Sequence, residues 1–286
     1  MSEYDHILEK EDYLEPGCPL CGEPYGVVPA AKPVPQRRIL EKMDEYMGRR
    51  DYAGALRHLL YWLEEARLGH DLRGQLMLCN ELTGYYRKTS DREKAVEYGT
   101  EALRLLEKMG FGETISAGTT YVNFATACNA FGENLKALEL FEKARKIYEN
   151  SGQTRPELLG GLYNNMGLVM AEMQRYDEAF GLYEKAMKAM EQVPGGELEQ
   201  AITCLNMADA VEGELGAEAG ENKIAGLLEK AEKLLDTPSL PRDGYYAFVC
   251  EKCAPSFSYY GYFLEEEELM KRAEAVYRDN EMEKER

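Results

Sequence analysis

The chain has 286 residues, of which 34 are basic and 52 are acidic, so its net charge is −18. Charged residues make up 30% and hydrophobic residues 44%, which is the composition of a folded protein and excludes a disordered one. The acidic excess argues against nucleic acid and against an anionic membrane surface as partners, because contact with phosphates needs a concentrated basic surface.

The N-terminal segment, residues 1–35, is predicted to contain an acidic helix followed by irregular structure. Residues 14–35 are rich in Pro and Gly, which excludes a long helix. They include Cys18 and Cys21 in the sequence CPLCG, which is similar to half of a zinc site. The segment lacks the apolar core of a signal peptide, and no apolar run approaches the roughly 20 residues of a membrane span. A cytoplasmic location is therefore expected.

From residue 36 onward one pattern recurs about every 42 residues. Its clearest copy, residues 160–191, has an early aromatic residue, Tyr163, then Gly167, and later Ala179 and Ala186. Two antiparallel helices need small residues where they approach each other and large apolar residues in between. The pattern predicts six helical hairpins over residues 36–286, starting near residues 36, 76, 118, 160, 201 and 247. The sequence GAEAGEN is predicted to be a short insertion inside the fifth hairpin.

This pattern resembles the tetratricopeptide repeat, with units longer than its usual period of about 34 residues. It is similar to the repeats of kinesin light chain and of bacterial peptide-sensing regulators, over residues 36 to about 280. The resemblance implies an all-α fold, a right-handed α-solenoid superhelix of six hairpins. Each hairpin is stabilised by stacking on its neighbours. The first helix of each hairpin is expected to line a concave groove that binds a protein or peptide ligand.

The sixth position of each unit is expected to face this groove, and in units three to five it is asparagine: Asn123, Asn165 and Asn206. An asparagine side chain has donors and an acceptor, so it can bond both the N–H and the C=O of an extended peptide. The resemblance implies such an asparagine ladder, because the equivalent residues of those families contact cargo or signal peptide. The alternative is that these asparagines bond one hairpin to the next, and the two roles are compatible.

Other groove positions extend the predicted peptide-binding surface. The sixth position of units two and six supplies Glu81 and Lys252, and neighbouring positions supply Asn80, Arg87 and Asn164. Arg87 and Lys88 give the early part of the groove basic character, whereas Glu172, Asp209 and Glu212 make the later part acidic. Such a distribution could orient a peptide that has one acidic and one basic end. The alternative is that these charges are only solvated.

The sixth unit is atypical. Pro255 lies inside its first helix and is predicted to kink it. Aromatic residues around Tyr259 and Tyr260 suit either an interface or a terminal hairpin that closes its own core. Cys250 and Cys253 form a second C-x-x-C pair. One interpretation joins them to Cys18 and Cys21 in a four-thiolate zinc site. The other places them at packed repeat positions.

No catalytic arrangement stands out in the sequence. The three histidines lack the spacing of a metal or catalytic motif, and there is no phosphate-binding glycine loop. We therefore expect a protein that is not an enzyme and needs no cofactor. Three alternatives remain: a peptide-binding scaffold, a peptide-sensing regulator that changes shape on binding, and a cysteine-based zinc protein. The residues before the first repeat lack a basic recognition helix, which argues against direct DNA binding. The extended N-terminal segment could itself occupy the groove.

Overall fold

The computed structural model describes residues 32–48 and 51–284, and within them the chain is all-α. The predicted fold class, an α-solenoid of helical hairpins, is confirmed. The predicted N-terminal helix, the Cys18 and Cys21 pair and the proposed groove-filling segment lie outside the described residues. The helices of the described part are α1 Gln36–Gly48, α2 Tyr52–Leu68, α3 Leu72–Lys88, α4 Arg92–Met109, α5 Ile115–Ala130, α6 Asn134–Asn150, α7 Pro156–Glu172, α8 Tyr176–Met190, α9 Glu197–Leu215, α10 Ala217–Leu235, α11 Gly244–Tyr259 and α12 Phe263–Lys284.

Short polar turns join the early helices, and aspartates begin them. Asp51, Asp71 and Asp91 each accept a hydrogen bond from the backbone N–H three residues ahead, which caps α2, α3 and α4. At Asp91, the Oδ1 lies 3.0 Å from the backbone N of Lys94. Asp71 has a second task. Its Oδ2 accepts from the backbone N of Val34 at 2.9 Å, so it ties the segment before α1 to the start of α3.

The chain forms two compact units that divide after Leu158. In the first unit, α1 packs on α2, α3 on α4 and α5 on α6, and α3 also contacts α5. Close approach within the α5–α6 hairpin depends on Gly118, because a Cβ there would lie 2.3 Å from Cε1 of the buried Tyr148 ring. The core of this unit is therefore built as the repeat pattern predicts, with aromatic rings set against glycine.

The second unit repeats this arrangement. Helix α9 packs on α10 and α11 on α12, and α9 also contacts α11. The predicted close approach at Gly167 is confirmed, since a Cβ there would lie 2.5 Å from Cε1 of the Tyr183 ring on α8. The first helices therefore pack against each other as well as against their own hairpin partners. Their polar residues meet along one face.

Three details differ from the sequence-based expectation or refine it. The structure places the GAEAGEN sequence: Gly216 alone separates α9 from α10, and the rest of that sequence forms the first turns of α10. Alanine and glutamate favour a helix there, while Gly216 adopts a φ of 79° that ends α9. Helix α11 runs through Pro255 without ending. The first helices of units two to six begin three or four residues before the motif starts, because caps such as Asp71 precede the motif.

Candidate functional site

In the first unit, two of the predicted groove residues are buried. The Nδ2 of Asn80 donates to the Oγ1 of Thr120 at 3.0 Å, and Asn80 is 2% exposed. Glu81 is 4% exposed. The binding role predicted for Asn80 and Glu81 does not fit this structure, because almost none of the surface of either residue is accessible to a ligand. Asn80 instead bonds α3 to α5, which is the linking role that the sequence left open as an alternative. Arg87 and Asn123 are half-buried and keep some accessible surface.

In the second unit, asparagines again connect neighbouring first helices. The Oδ1 of Asn164 accepts from the Nδ2 of Asn206 at 3.0 Å and from the Oγ1 of Thr203 at 3.1 Å. Asn164 and Asn206 are both half-buried. The bond to Asn164 uses one amide hydrogen of Asn206. The side-chain carbonyl oxygen of Asn206 takes no part in this bond. Asn165, which follows Asn164 on α7, is half-buried, and Lys252 on α11 is exposed.

Beyond the asparagines, α9 and the end of α11 form a group that we call the carboxylate–tyrosine cluster: Asp209, Glu212, Tyr259 and Tyr260. Asp209 and Glu212 are three residues apart, so they share a face of α9. The hydroxyl of Tyr260 lies 2.8 Å from Asp209 Oδ1 and 3.3 Å from Glu212 Oε2, and Tyr259 donates to Glu212 Oε1 at 3.1 Å. The two rings meet edge to face with centroids 5.0 Å apart.

The electrostatics of this cluster disfavour its negative charge. Part of Asp209 is exposed to solvent, yet the protein atoms around it desolvate the carboxyl and raise its pKa, and the nearby charge of Glu212 raises it further. The hydrogen bond from Tyr260 lowers the pKa but does not cancel the increase. Burial, followed by the bond to Asp209, raises the pKa of Tyr260 far above its usual value. Tyr260 therefore remains a hydrogen-bond donor across the physiological range of pH.

A buried hydroxyl, that of Tyr183 on α8, is affected by the charge of Asp209. Tyr183 is 0% exposed, and its Oη has no hydrogen-bond partner among the described residues. Burial raises the pKa of Tyr183, and the charges of Asp209 and then Glu172 raise it further. A buried hydroxyl without a partner is unfavourable by about 1–3 kcal/mol. The ring lies across Gly167 on α7, so the hydroxyl is held in place.

The sequence pattern indicates the members of this cluster but not their contact. It places Asp209 and Glu212 in an acidic part of the groove, and Tyr259 and Tyr260 among the aromatic residues of the last unit. The hydrogen bonds span about fifty residues, 51 between Tyr260 and Asp209. The signal that could have joined them is the repeat register, which sets the end of one first helix beside the next.

The second cysteine pair occupies packed positions. Cys250 and Cys253 are both buried in the core of the second unit, and burial raises the pKa of each thiol. A raised pKa disfavours the thiolate form that binds zinc. Within residues 32–48 and 51–284, no group of three or more His, Cys, Asp or Glu side chains is arranged to hold a metal ion. The other half of the predicted zinc site lies outside the described residues.

Comparison with known proteins supports the repeat assignment. Residues 158–216 match the family model described as tetratricopeptide repeat. No curated protein matches the sequence. No helix in the described part of the chain has the length and apolar character needed to cross a membrane.

Two solved structures share the fold at low sequence identity. One is NprR in complex with its cognate peptide NprX, at 14% identity and a TM-score of 0.56, covering 86% of this chain and 69% of that one. The other is a putative kinesin light chain with nearly identical TPR-like repeats from Podosopora anserina, at 17% identity and a TM-score of 0.50, covering 73% of this chain and 97% of that one. The helical hairpins, the family match and these two structures together identify the chain as similar to tetratricopeptide-repeat proteins, with the repeat itself recognised over residues 158–216.

Proposed function

We propose that this protein binds an extended peptide, or an extended segment of another protein, along the faces of its first helices, and that it acts by binding and not by catalysis. The observation that carries the proposal is the Asn164–Asn206 pair. It holds an asparagine amide half-buried between α7 and α9, with its carbonyl oxygen outside that bond. An amide fixed in this way loses little conformational freedom when it bonds a peptide.

The proposed binding residues are those first-helix residues that keep accessible surface. Asn123, Asn165 and Asn206 would bond the main chain of the ligand, and Asn164 would hold Asn206 in place. Arg87 and Lys252 would contribute positive charge. The NprR structure contains a bound peptide, NprX, and its likeness to this fold is a reason to look for a peptide on the first helices.

The regulator alternative is favoured by one specific contact. Asn206 is both a proposed binding residue and part of the bond that joins α7 to α9. A ligand that competes for the amide of Asn206 would weaken this bond and change how the two helices pack. Ligand binding and hairpin packing would then be coupled, as a peptide-sensing protein requires.

The test is a peptide-library selection on the purified full chain, run beside the variant Asn123→Ala, Asn165→Ala, Asn206→Ala. A matched control removes three exposed amides elsewhere: Asn150→Ala, Gln153→Ala, Asn222→Ala. Circular dichroism establishes that all three proteins remain helical. We expect the wild type and the control to enrich the same motif, and the first variant to lose it.

Two results would contradict the proposal at different levels. If the wild type enriches no motif, peptide binding itself is wrong. If the triple asparagine variant enriches the wild-type motif with unchanged strength, the chain binds peptides but the asparagines do not hold them.

A further inference from the structure

We propose that a cavity between α10, α11 and α12 is a docking site for a basic segment of a partner protein, and that one large apolar side chain of that segment enters the cavity. The cavity lies within the second unit and has a volume of about 200 Å³. None of the proposed peptide-binding residues on the first helices lines it. Docking there is therefore a second interaction and does not depend on the proposed function.

The floor of the cavity is apolar and belongs to the packed core. It is formed by Leu235 at the end of α10, Phe257 on α11 and Leu269 on α12, none of which is more than 4% exposed. Leu264, in the first turn of α12, also lines the cavity but is 78% exposed. An apolar side chain in the cavity would cover this leucine and remove its surface from water.

The size and polarity of the cavity decide what can enter it. Its volume is below the about 300–1,000 Å³ of typical small-molecule sites, so it suits a single side chain better than a whole ligand. A side chain enters tip first, and a charged tip would lose its hydration against the apolar floor. The entering side chain is therefore leucine, methionine or phenylalanine, and any charge of the partner lies at the mouth.

The mouth of the cavity is acidic. Glu232 on α10 and Glu265 on α12 line it and keep accessible surface, and neither forms an ion pair with another residue that the structure describes. Arg272 also lines the cavity, but its charge is compensated, because its Nε lies 3.1 Å from Glu268 Oε1 and it also pairs with Asp236. The charge that remains at the mouth is negative, which favours basic residues on either side of the apolar one.

The charge of the whole second unit favours the same kind of partner. Residues 159–286 include 13 basic and 26 acidic residues, whereas residues 1–158 include 21 basic and 26 acidic ones. A basic segment would therefore be attracted to the second unit before any contact forms. A second copy of this chain suits the site less well, because two acidic surfaces repel each other.

The test uses three tripeptide probes with blocked ends: Lys-Phe-Lys, Lys-Ser-Lys and Glu-Phe-Glu. NMR spectra of the full chain with labelled leucine methyl groups record which leucines respond to each probe. We expect Lys-Phe-Lys to shift the signals of Leu235, Leu264 and Leu269 in a saturable way, and the other two probes to shift them far less. Added salt should weaken the binding of Lys-Phe-Lys, because its charges meet exposed carboxylates.

The first pair of variants tests the apolar wall. Leu264→Ser removes the exposed leucine of the cavity, and Leu135→Ser on α6 removes a leucine that is 70% exposed in the first unit. Both side chains are exposed, so both variants should fold. We expect the Kd for Lys-Phe-Lys to rise about threefold or more in Leu264→Ser and to stay unchanged in Leu135→Ser.

The second pair tests the charges at the mouth. The variant Glu232→Gln, Glu265→Gln removes both, and the control Glu218→Gln, Glu221→Gln makes the same change of charge at exposed positions in the first turns of α10. We expect the Kd for Lys-Phe-Lys to rise about threefold or more in the first variant and little in the control. An equal rise in both would mean that the net charge, and not this site, attracts the probe, which contradicts the proposal.

Other outcomes would also overturn it. No saturable shift of the three cavity leucines up to about 10 mM Lys-Phe-Lys, where a millimolar Kd is evident, means that the cavity does not bind such a segment. Equal shifts with Lys-Ser-Lys rule out the apolar anchor, and equal shifts with Glu-Phe-Glu rule out a basic partner. A wild-type dimer in sedimentation that Leu264→Ser dissociates would make a second copy the occupant. None of these results affects the peptide selection that tests the proposed function.

Discussion

Polar residues at the same repeat positions have different roles in the two units. In the first unit, Asn80 bonds Thr120, and both side chains are buried. In the second, Asn164 and Thr203 stand at the equivalent positions and also bond, but Asn164 accepts in addition from Asn206. The first contact is sealed between helices, whereas the second continues to a half-buried residue. Equal residues at equal positions therefore do not imply equal access to a ligand.

The polar residues of the first helices therefore have two different roles. The asparagine at the fifth position, Asn80 or Asn164, joins neighbouring hairpins in both units. The polar side chains with accessible surface lie one turn further along, at Asp209 and Glu212 in the second unit. A face that looks uniform in the repeat pattern is therefore divided into a packing part and an exposed part.

The largest expected effect comes from substituting the glycines that allow close helix approach in both units. Gly118→Ala and Gly167→Ala each place a Cβ within 2.5 Å of a buried tyrosine ring. We expect each to lower the free energy of unfolding by about 1–3 kcal/mol, the usual range for overpacking a core. Urea denaturation followed by circular dichroism measures both. Gly181→Ala, at an exposed site with no atom near the added Cβ, is the control. If Gly118→Ala and Gly167→Ala unfold like this control, the glycines do not set the helix spacing.

The next prediction compares how much the buried Asn80–Thr120 contact and the half-buried Asn164–Asn206 contact each contribute to the free energy of unfolding. Asn80→Ala removes a buried bond and leaves Thr120 without its donor, so we expect a loss of about 1–3 kcal/mol in the free energy of unfolding. Asn206→Ala should cost less, about 0.5–1.5 kcal/mol, because it is half-buried and Thr203 still donates to Asn164. Urea denaturation of both variants in one buffer gives the ratio. Equal losses would mean that the two contacts are energetically alike.

A smaller effect concerns pH. The pKa of Asp209 is raised in the folded protein, so the folded state favours the protonated carboxyl and the ionised form is destabilising. Asp209→Asn should therefore raise the melting temperature slightly at pH 7. This gain should shrink as the pH falls through the folded pKa of Asp209, because the wild-type carboxyl then becomes neutral as well. Thermal unfolding between pH 7 and pH 4 checks this, with Glu218→Gln as the exposed control. A variant that melts below the wild type at pH 7 would show that the charge of Asp209 stabilises the fold.

The smallest effect tests the donor of the cluster. Tyr260→Phe removes the hydroxyl that bonds Asp209 and Glu212 but keeps the ring. Since this bond lowers the pKa of Asp209, its loss should raise that pKa further. NMR titration of the Asp209 carboxyl carbon measures the change, with Tyr259→Phe as the comparison. An unchanged or lower pKa in Tyr260→Phe would mean that the hydroxyl does not stabilise the ionised form.

Much of the fold could be predicted because small and large residues recur at fixed positions. Gly167 predicted where two helices approach closely, and the Tyr183 ring lies there. The first residues of the helices were harder to predict, because the repeat motif begins after the first turn whereas Asp71 and Thr114 cap the helices earlier. The place of the GAEAGEN insertion in the fold was not predictable from its length alone, and the structure shows that it lengthens α10.

The candidate site was less predictable for a physical reason. Whether a first-helix asparagine is buried depends on one step of the helix, about 100° of rotation, and on what the next hairpin places opposite. Asn80 was assigned to the groove, but Thr120 covers it. The contact between Asp209 and Tyr260 could not be inferred from either residue alone, because it joins a helix middle to a helix end in the following hairpin.

The bond between Asp71 and the backbone of Val34 has a practical consequence for cutting the chain. A Cβ on Gly74 would lie 2.5 Å from Cγ2 of Val34, so this valine fills the space that the glycine leaves open. The first hairpin thus reaches back before the start of its first helix. A truncated protein that begins at Gln36 would lose the residue that covers the start of α3, and expression trials should therefore place the new N-terminus at or before Lys32.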